Sequence, residues 1–284
     1  MKNLYTLVLV FAFSLIMKAE VSVTEKNALL KLYDATNGSD WTVKWDLEAP
    51  VSNWFGIVLQ DDKVIAIQLP NNNLVGNLPA EISALVNLKT LDLFKNFISG
   101  TIPSSIGEMK SLETLKLSFN LFSGTIPASI GEVSSLKTLE LFMNRFTGEI
   151  PFEMGKLSHL ETLSLYNNEI EGKIPSSIYD LKNLKVLLLN SNKLSGTLSS
   201  SISNLSQLEQ LSLFDNAMQG QVPFDLEKLN KLKEMNISYN RFSGLVSKDL
   251  AKLDVLNMTM INNEGVATTL KVAMDKDKAF ASED

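Results

Sequence analysis

The chain of 284 residues contains no cysteine and a single histidine, His159. Without cysteine, the protein can have no disulfide framework, no thiolate metal site and no cysteine nucleophile. One histidine excludes metal sites built from histidine clusters. Basic residues are also scarce, with 26 Lys and Arg against 32 Asp and Glu and a formal charge of −6. This balance argues against nucleic acids and anionic membranes as partners, and we expect no cofactor or metal ion.

Long apolar runs are missing except at the start of the chain. Residues 4–17 form a largely apolar run that follows Lys2 and precedes Ala19, a small residue at a plausible cleavage site. This arrangement predicts a secretory signal peptide over residues 1–19. The run is shorter than the ~20 residues that span a bilayer, so an uncleaved membrane anchor is the less favoured alternative. The sequence therefore predicts a secreted or cell-surface protein.

The feature that dominates the sequence is a repeat of 24 residues. Stepping by 24 from Val64 finds leucine at the start of each later unit, and the units follow the pattern L-x-x-L-x-L-x-x-N. Glycine lies four residues after each asparagine, as at Gly100, and proline follows three residues later in six of the eight units, as at Pro103. A fixed period of this length indicates a solenoid. The asparagines are Asn72, Asn96, Asn120, Asn144, Asn168, Asn192, Asn216 and Asn240.

Each unit predicts one short strand and one tight turn. Leucines at the first, fourth and sixth positions should point into the core, while the strand pairs with its neighbours at ~4.8 Å. The asparagine amide can donate and accept, so it can satisfy backbone groups that the turn removes from the ladder. Glycine permits the next bend, and proline fixes φ where no ladder amide is needed. The asparagines should therefore form a structural ladder along the stack.

One such unit cannot bury its own core, so the stack needs a cap at each end. Residues 20–63 form the predicted N-terminal cap, in which a capping box at Ser22 starts a helix and Gly38 ends it. This segment holds all three tryptophans, which we expect to cover the first repeat. Residues 64–254 are the eight repeats. Residues 255–284 supply a closing strand, with Met258, Met260 and Asn263 in register, and a polar tail.

The repeats resemble a known family. The unit LETLKLSFNLFSGTIPASIGEVSS, residues 112–135, resembles the plant-type leucine-rich repeats, of 24 residues with an SGxIP motif, of receptor-kinase ectodomains and secreted inhibitor proteins. The cap segment ALLKLYDATNGSDW resembles the start of secreted bacterial leucine-rich repeat proteins. The resemblance implies an α/β fold: a right-handed leucine-rich-repeat solenoid with a concave parallel β-sheet, short 3-10 or helical turns on the convex side and a helical N-terminal cap.

The resemblance also implies a non-enzymatic binding protein. The paired cysteines that often staple the family's N-terminal cap are missing, so this cap must close by packing alone. No kinase or membrane-spanning segment follows the repeats, which predicts a freestanding, receptor-like module rather than a receptor kinase. A protein or peptide is the expected partner. An inhibitor of a secreted hydrolase, a structural or adhesive surface protein and a polysaccharide binder remain alternatives.

An aromatic column occupies the seventh and eighth positions of the repeats. We expect the second, third, fifth, seventh and eighth positions to face outward, because side chains alternate along a strand. Relatives usually carry a small polar residue at the seventh position. A column of rings there predicts a partner-binding surface, although the rings could instead cover neighbouring strands without a ligand. The predicted partner-binding residues are Phe94, Lys95, Lys116, Phe119, Glu140, Phe142, Met143, Tyr166, Phe214 and Tyr239.

Enzymatic interpretations are weak. Asp92 and Glu140 should lie two strands apart, roughly 9–10 Å, near the upper limit for inverting glycosidases. Lys116 lies between them and should pair with both, which opposes a general acid role, so we predict no catalytic residue. The segment DATNGSD, residues 34–40, lacks the spacing of a calcium-binding EF-hand. Four N-x-S/T triplets, relevant if exported chains are glycosylated, begin at Asn37, Asn204, Asn236 and Asn257.

Overall fold

The computed structural model describes residues 21–254, 256, 258–262 and 264–272. The predicted signal peptide and the polar tail beyond residue 272 lie outside the described residues. Asn257 and Asn263 also lie outside them, and with Asn263 its predicted place in the closing strand. Neither of the α-helices in the described ranges has the length and hydrophobicity that a bilayer crossing requires.

Helix α1, Val23–Ala35, begins the N-terminal cap. The hydroxyl of Ser22 accepts a hydrogen bond from the Glu25 amide at 3.2 Å and donates one to the Glu25 carboxylate at 3.0 Å. This is a variant of the predicted capping box. The buried Glu25 carboxylate also accepts from the amide of Val64 at 3.2 Å. One side chain therefore both caps the helix and ties it to the first repeat.

The end of helix α1 differs from the prediction. Gly38 does not make the turn; Asn37 does, with a left-handed φ of 57°. Asparagine tolerates this conformation because its short polar side chain can hydrogen-bond locally, and its Nδ2 donates to Asp40 Oδ2 at 2.7 Å. Gly38 is required for a different reason, since a Cβ there would lie 2.2 Å from the ring of Tyr33.

Aromatic packing closes the cap. Tyr33, Trp41, Trp45 and Trp54 form a chain of ring contacts, with centroids 5.1 Å apart from Tyr33 to Trp41, 4.9 Å from Trp41 to Trp45 and 4.7 Å from Trp45 to Trp54. The three tryptophans are at most 4% exposed. Each indole N–H donates to a backbone carbonyl, so no polar atom of these rings is left without a partner.

Nine strands form the concave sheet. Its first strand runs antiparallel to the second, and every later strand runs parallel to its neighbours in steps of one repeat. Leu88, Leu91 and Leu93 of the second unit are completely buried, and their counterparts in the other units continue the same core. The strands are Ile57–Gln60, Lys63–Gln68, Thr90–Asp92, Thr114–Lys116, Thr138–Glu140, Thr162–Ser164, Val186–Leu188, Gln210–Ser212 and Glu234–Asn236.

Short 3-10 helices form the opposite wall of the core. Six of the seven in the repeats begin directly after proline, and Ser199 replaces it in the seventh. Ile106, in the second of these helices, and Met109, directly after it, show how each helical turn contributes fully buried apolar side chains. The seven helices are Ala80–Ala84, Ser104–Glu108, Ala128–Glu132, Phe152–Lys156, Ser176–Asp180, Ser200–Asn204 and Phe224–Lys228; two more in the cap are Gly38–Asp40 and Val51–Asn53.

A second parallel sheet runs beside the concave sheet, and sequence reasoning did not predict it. The chain stays extended after each ladder asparagine until the repeat glycine, for example Gly100 with φ of 78°, bends it away. Parallel neighbours then pair across one repeat. Six strands form this sheet: Val75–Asn77, Phe97–Gly100, Leu121–Thr125, Arg145–Gly148, Glu169–Gly172 and Lys193–Leu194; Gln219–Gln221 and Arg241–Ser243 form a separate pair.

The C-terminal end closes with a hairpin rather than a single strand. Helix α2, Lys248–Leu253, takes the place of the 3-10 helix in the last repeat. Strand Thr259–Ile261 then pairs antiparallel with Ala267–Thr269. Met258 and Met260 are buried, because the hairpin folds back over the open end of the core. The last described strand pair is Leu245–Val246 with Lys271–Val272.

Candidate partner-binding surface

The ladder asparagines fix the edge at which each concave strand ends. Asn120 is typical: its Oδ1 accepts from the Ile98 amide at 3.0 Å, and its Nδ2 donates to the carbonyls of Leu93 at 2.9 Å and Leu117 at 3.1 Å. Most of these groups belong to the preceding repeat, so each side chain joins two turns. The same pattern holds for Asn96, Asn144, Asn168, Asn192, Asn216 and Asn240.

The first ladder asparagine has a different partner. Asn72 Oδ1 accepts from the Val43 amide at 2.7 Å, and Asn72 Nδ2 donates to the Val43 carbonyl at 3.1 Å. These two bonds connect the first repeat to the N-terminal cap. The ladder is therefore continuous from the cap to the last repeat, and it holds the neighbouring surface side chains on a rigid edge.

The eighth position does not lie in the concave sheet, contrary to the prediction. The chain turns there, and this position is left-handed in all eight units, with φ between 51° and 57°. Its side chains therefore leave the alternating strand pattern and reach the lateral edge of the solenoid. Left-handed backbone costs roughly 1–2 kcal/mol for residues other than glycine, asparagine and aspartate. The eight residues are Asn71, Lys95, Phe119, Met143, Asn167, Ser191, Asp215 and Tyr239.

Four of the predicted rings form what we call the ring cluster: Phe94, Phe119, Phe142 and Tyr166. Phe119 packs edge-on against Phe94 at 5.3 Å and against Phe142 at 5.6 Å between centroids. Phe142 and Tyr166 are stacked at 4.3 Å with an interplanar angle of 11°. The rings nevertheless remain partly accessible, and Phe119 is 39% exposed. The cluster thus covers neighbouring strands and still presents an apolar surface.

The other two predicted rings stand apart. Phe214 and Tyr239 contact each other at 5.1 Å, but the intervening unit carries Asn190 and Ser191 at its seventh and eighth positions. The seventh position is also not uniformly exposed. Ser118 is fully buried there, as is Ser238, whose hydroxyl donates to Asp254 Oδ1 at 3.1 Å. A small side chain at this position is enclosed by its larger neighbours.

The predicted charged strip is only partly formed. Lys116 Nζ lies 3.6 Å from Glu140 Oε1, but the expected second ion pair with Asp92 is absent within 4.0 Å among the described residues. Asp92 Oδ1 instead accepts from the backbone amide of Phe94 at 3.0 Å. Burial raises the pKa of Tyr166, and the charge of Glu140 raises it further. The Tyr166 hydroxyl therefore stays protonated to a higher pH than an ordinary tyrosine.

A ladder of alternating charge borders the concave sheet, and sequence reasoning missed it. Lys137 Nζ lies 2.6 Å from Glu113 Oε2, and Lys185 Nζ lies 2.7 Å from Glu161 Oε2. The hydrogen bond from Lys137 lowers the pKa of Glu113. Stepping by 24 from Lys89 along the second position would have found this charge ladder, which consists of Lys89, Glu113, Lys137, Glu161, Lys185, Glu209 and Lys233.

A groove on the lateral edge is the second missed feature. Its volume is about 720 Å³, and it lies where the eighth-position residues meet the second sheet. Phe97, Phe119, Leu121 and Met143 give it apolar walls, and Lys95 and Arg145 also line it. The signal in the sequence was the tenth position of the repeats, where Phe97, Leu121 and Arg145 follow each other at intervals of 24.

The single histidine lies on the surface. His159 is exposed on a loop, with Nδ1 3.0 Å from the carbonyl of Ser134. Within the described ranges, no three histidine, aspartate or glutamate side chains are grouped closely enough to hold a metal ion. The side chains that the fold does bring together on its surface are rings, lysines and carboxylates in ion pairs.

Comparison with known proteins identifies the repeats. A family model described as leucine-rich repeat region matches residues 143–269, and a second, described as leucine rich repeat, matches residues 86–146. A probable leucine-rich repeat receptor-like protein kinase of Arabidopsis thaliana is 37% identical over 83 residues, 24% of this chain and 9% of that protein.

Solved structures show the same fold. The plant peptide hormone receptor RGFR1, in complex with RGF2, is 31% identical with a TM-score of 0.64, over 73% of this chain and 32% of that one. A plant ice-binding protein, 22% identical with a TM-score of 0.68 over 90% of this chain and 89% of that one, shares the fold. The chain spans about a third of the receptor and 9% of the kinase. The repeat pattern, the stacked strands and these matches show that this chain belongs to the leucine-rich repeat family, with repeats of the plant type.

Proposed function

We propose that this protein is an extracellular, non-enzymatic binding module that recognises a peptide or protein through the ring cluster. The observation that carries the proposal is a contiguous group of four rings that pack against their neighbours and remain partly exposed along the edge at which the concave strands end. Exposed apolar groups of this kind mark interaction sites in soluble proteins. Aromatic side chains are also the usual anchors of protein interfaces.

The packing of the rings favours binding at low entropic cost. Because Phe142 is stacked on Tyr166 and Phe119 rests against the other two phenylalanines of the cluster, their rotamers are restricted before a partner arrives. Ordering flexible side chains at an interface costs roughly 0.5–1.5 kcal/mol each. A prepacked cluster avoids much of that cost, so more of the contact energy with a short peptide contributes to its affinity.

Three further points support an extracellular peptide or protein partner. The apolar run before Ala19 has the pattern of a secretory signal. The receptor RGFR1, which shares the fold, was solved in complex with RGF2. The paired Lys116 and Glu140 beside the rings supply polar groups that could fix the orientation of a bound chain.

The proposal predicts that a triple variant, Phe94→Ser, Phe142→Ser and Tyr166→Ser, loses its partner. Tagged wild-type and variant proteins are incubated with medium from the native environment, and captured proteins are quantified by mass spectrometry. We expect capture of the specific partner to fall by about tenfold or more, because ring truncations at an interface centre each cost ~1–2 kcal/mol or more.

A matched variant controls for the loss of three rings. Phe55, Phe152 and Phe224 lie outside the concave sheet and are exposed or partly exposed. Their replacement by serine should leave capture unchanged. Thermal unfolding of both variants checks that each remains folded. If the concave variant captured the same proteins as the wild type, the proposal would be wrong.

A further inference from the structure

We infer that the lateral groove binds an extended peptide segment that carries an apolar side chain flanked by acidic groups. The inference rests on the proposed function, because it states which class of peptide the partner presents. Phe119 is the shared element, since it belongs to the ring cluster and also lines the groove. A bound segment can therefore cross from the concave sheet to the lateral edge without leaving apolar surface.

The groove has the volume of a ligand site. Its volume of about 720 Å³ lies within the ~300–1,000 Å³ typical of ligand sites. Ladder asparagines Asn96, Asn120 and Asn144 also line it. Their amides are already bonded to backbone groups of the repeats. The ligand chemistry is therefore set by the apolar walls and the cations rather than by the ladder.

The apolar walls are held in place against a local preference of the backbone. Phe119 and Met143 have φ of 55°, whereas Asn71 and Asn167, at the equivalent positions of other units, have the residue type that tolerates this conformation. Asn167 Nδ2 donates to Met143 Sδ at 2.7 Å, which orients the methionine. Phe97 is 54% exposed beside them. Because every unit shares this backbone turn, the groove gains its apolar character from the residue types at these positions.

The cations of the groove indicate an acidic ligand. Lys95 and Arg145 make no ion pair within 4.0 Å among the described residues, whereas several lysines of the charge ladder are paired. Besides the hydrogen bond from Lys193, the charge of Arg145 helps to lower the pKa of the Glu169 carboxylate. That carboxylate already has a partner, since Glu169 Oε2 lies 2.8 Å from Lys193 Nζ. In a chain with a net charge of −6, two unpaired cations beside exposed rings match carboxylates on a partner.

The spacing of these cations suggests the ligand's pattern. Lys95 and Arg145 belong to repeats two strands apart, a separation of about 10 Å across the sheet. An extended chain covers that distance in about three residues. Two acidic groups two or four residues apart point to the same face of an extended chain, so they would reach both cations; one of them could be a terminal carboxylate. An apolar side chain between them would then lie against Phe97, Phe119 and Met143.

The test selects decamers from a random phage-displayed library on the full-length protein. We expect enrichment of peptides with two acidic groups around an aromatic or aliphatic residue. The best decamer is then titrated by fluorescence polarisation against wild type and a Lys95→Glu, Arg145→Glu variant. We expect the dissociation constant to rise by about tenfold or more. It should also rise with salt for wild type, since both contacts are accessible to screening.

Two further variants make the result specific. Lys44→Glu with Lys182→Glu applies the same change of charge at exposed lysines outside the groove, and should alter the dissociation constant by less than about twofold. Lys95→Gln with Arg145→Gln removes the cations without reversal, in case the reversed variant unfolds. A decamer that bound both groove variants as tightly as wild type would overturn the inference.

The ring-cluster variant separates this inference from the proposed function. If Phe94→Ser, Phe142→Ser and Tyr166→Ser weakened the decamer while both groove variants did not, the concave surface would remain the binding site and the groove inference would be wrong. Enriched decamers without acidic residues would also overturn it. If no decamer bound the wild-type protein, both the groove inference and a peptide-binding role would fail.

Discussion

At the scale of single residues, the conformation of the eighth position decides where a side chain lies. A left-handed φ directs Phe119 and Met143 to the lateral edge instead of the concave sheet. The alternation rule for strands could not predict this, because it assumes that the strand continues, and in the structure each concave strand is only three residues long beyond the first repeat. Gly38 gives a second example, since its role depends on the ring of Tyr33 rather than on its own φ.

The first prediction concerns this left-handed position. Ser191 has φ of 53°, and Ser191→Asn should raise the free energy of unfolding by about 0.5–1 kcal/mol because asparagine tolerates this conformation better. Urea denaturation measures the change. Ser206→Asn is the control, since Ser206 is exposed without a positive φ and should show little effect. An equal gain at both serines would show that the left-handed backbone is not the cause.

At the scale of elements, the asparagine ladder joins adjacent repeats. The sequence predicted this element well, because one residue type recurs at a fixed interval in a place where a turn needs hydrogen-bond partners. The second parallel sheet was not predictable in the same way. Its strands, such as Leu121–Thr125, contain serine, glycine and threonine, which read as loop residues, and only the stacking of repeats gives them partners.

The second prediction tests the ladder. Asn120→Ala should lower the free energy of unfolding by ~1–3 kcal/mol, because the Ile98 amide and two buried carbonyls would lose their partners. Chemical denaturation followed by circular dichroism checks the value. Asn87→Ala is a suitable control, since Asn87 is partly exposed and lies outside the ladder. Equal losses in the two variants would contradict the role of the ladder.

At the scale of the whole molecule, charge alternates along one border of the concave sheet. The hydrogen bonds from Lys137 and Lys233 lower the pKa of Glu113 and Glu209. Because the folded pKa lies below the ordinary value of 4.5, this stabilisation is present above that pH and is lost as the pH falls through the lowered values. The raised pKa of Lys137 has the opposite pH dependence. The stability that Lys137 contributes is lost only as the pH rises above 10.5.

The third prediction follows from these shifts. Thermal unfolding should show a plateau of stability near neutral pH and a decline in acid, and the acid decline should be shallower in a Glu113→Gln, Glu209→Gln variant. Salt at about 1 M should also make the acid decline of the wild-type protein shallower, because exposed ion pairs are screened. An acid decline that was the same in both proteins would show that other groups cause it.

The binding surface was less predictable than the solenoid. Periodicity identified the column of rings, but it grouped Phe214 and Tyr239 with the ring cluster although a polar unit separates them. It also placed Ser118 at the surface, where larger neighbours bury it. The groove escaped notice because Phe97 and Arg145 follow the ladder asparagine, in a segment that reads as a loop. Contacts between repeats, which depend on side-chain size, decide these points.

The most direct test of the ring cluster as a recognition surface is hydroxyl-radical footprinting of the protein with and without its tightest selected decamer. Oxidation of each ring is quantified by mass spectrometry. We predict that labelling of Phe119, Phe142 and Tyr166 falls in the complex while that of Phe152, 63% exposed on the opposite wall, is unchanged. Unchanged labelling of the three cluster rings in a fully bound sample would contradict the account.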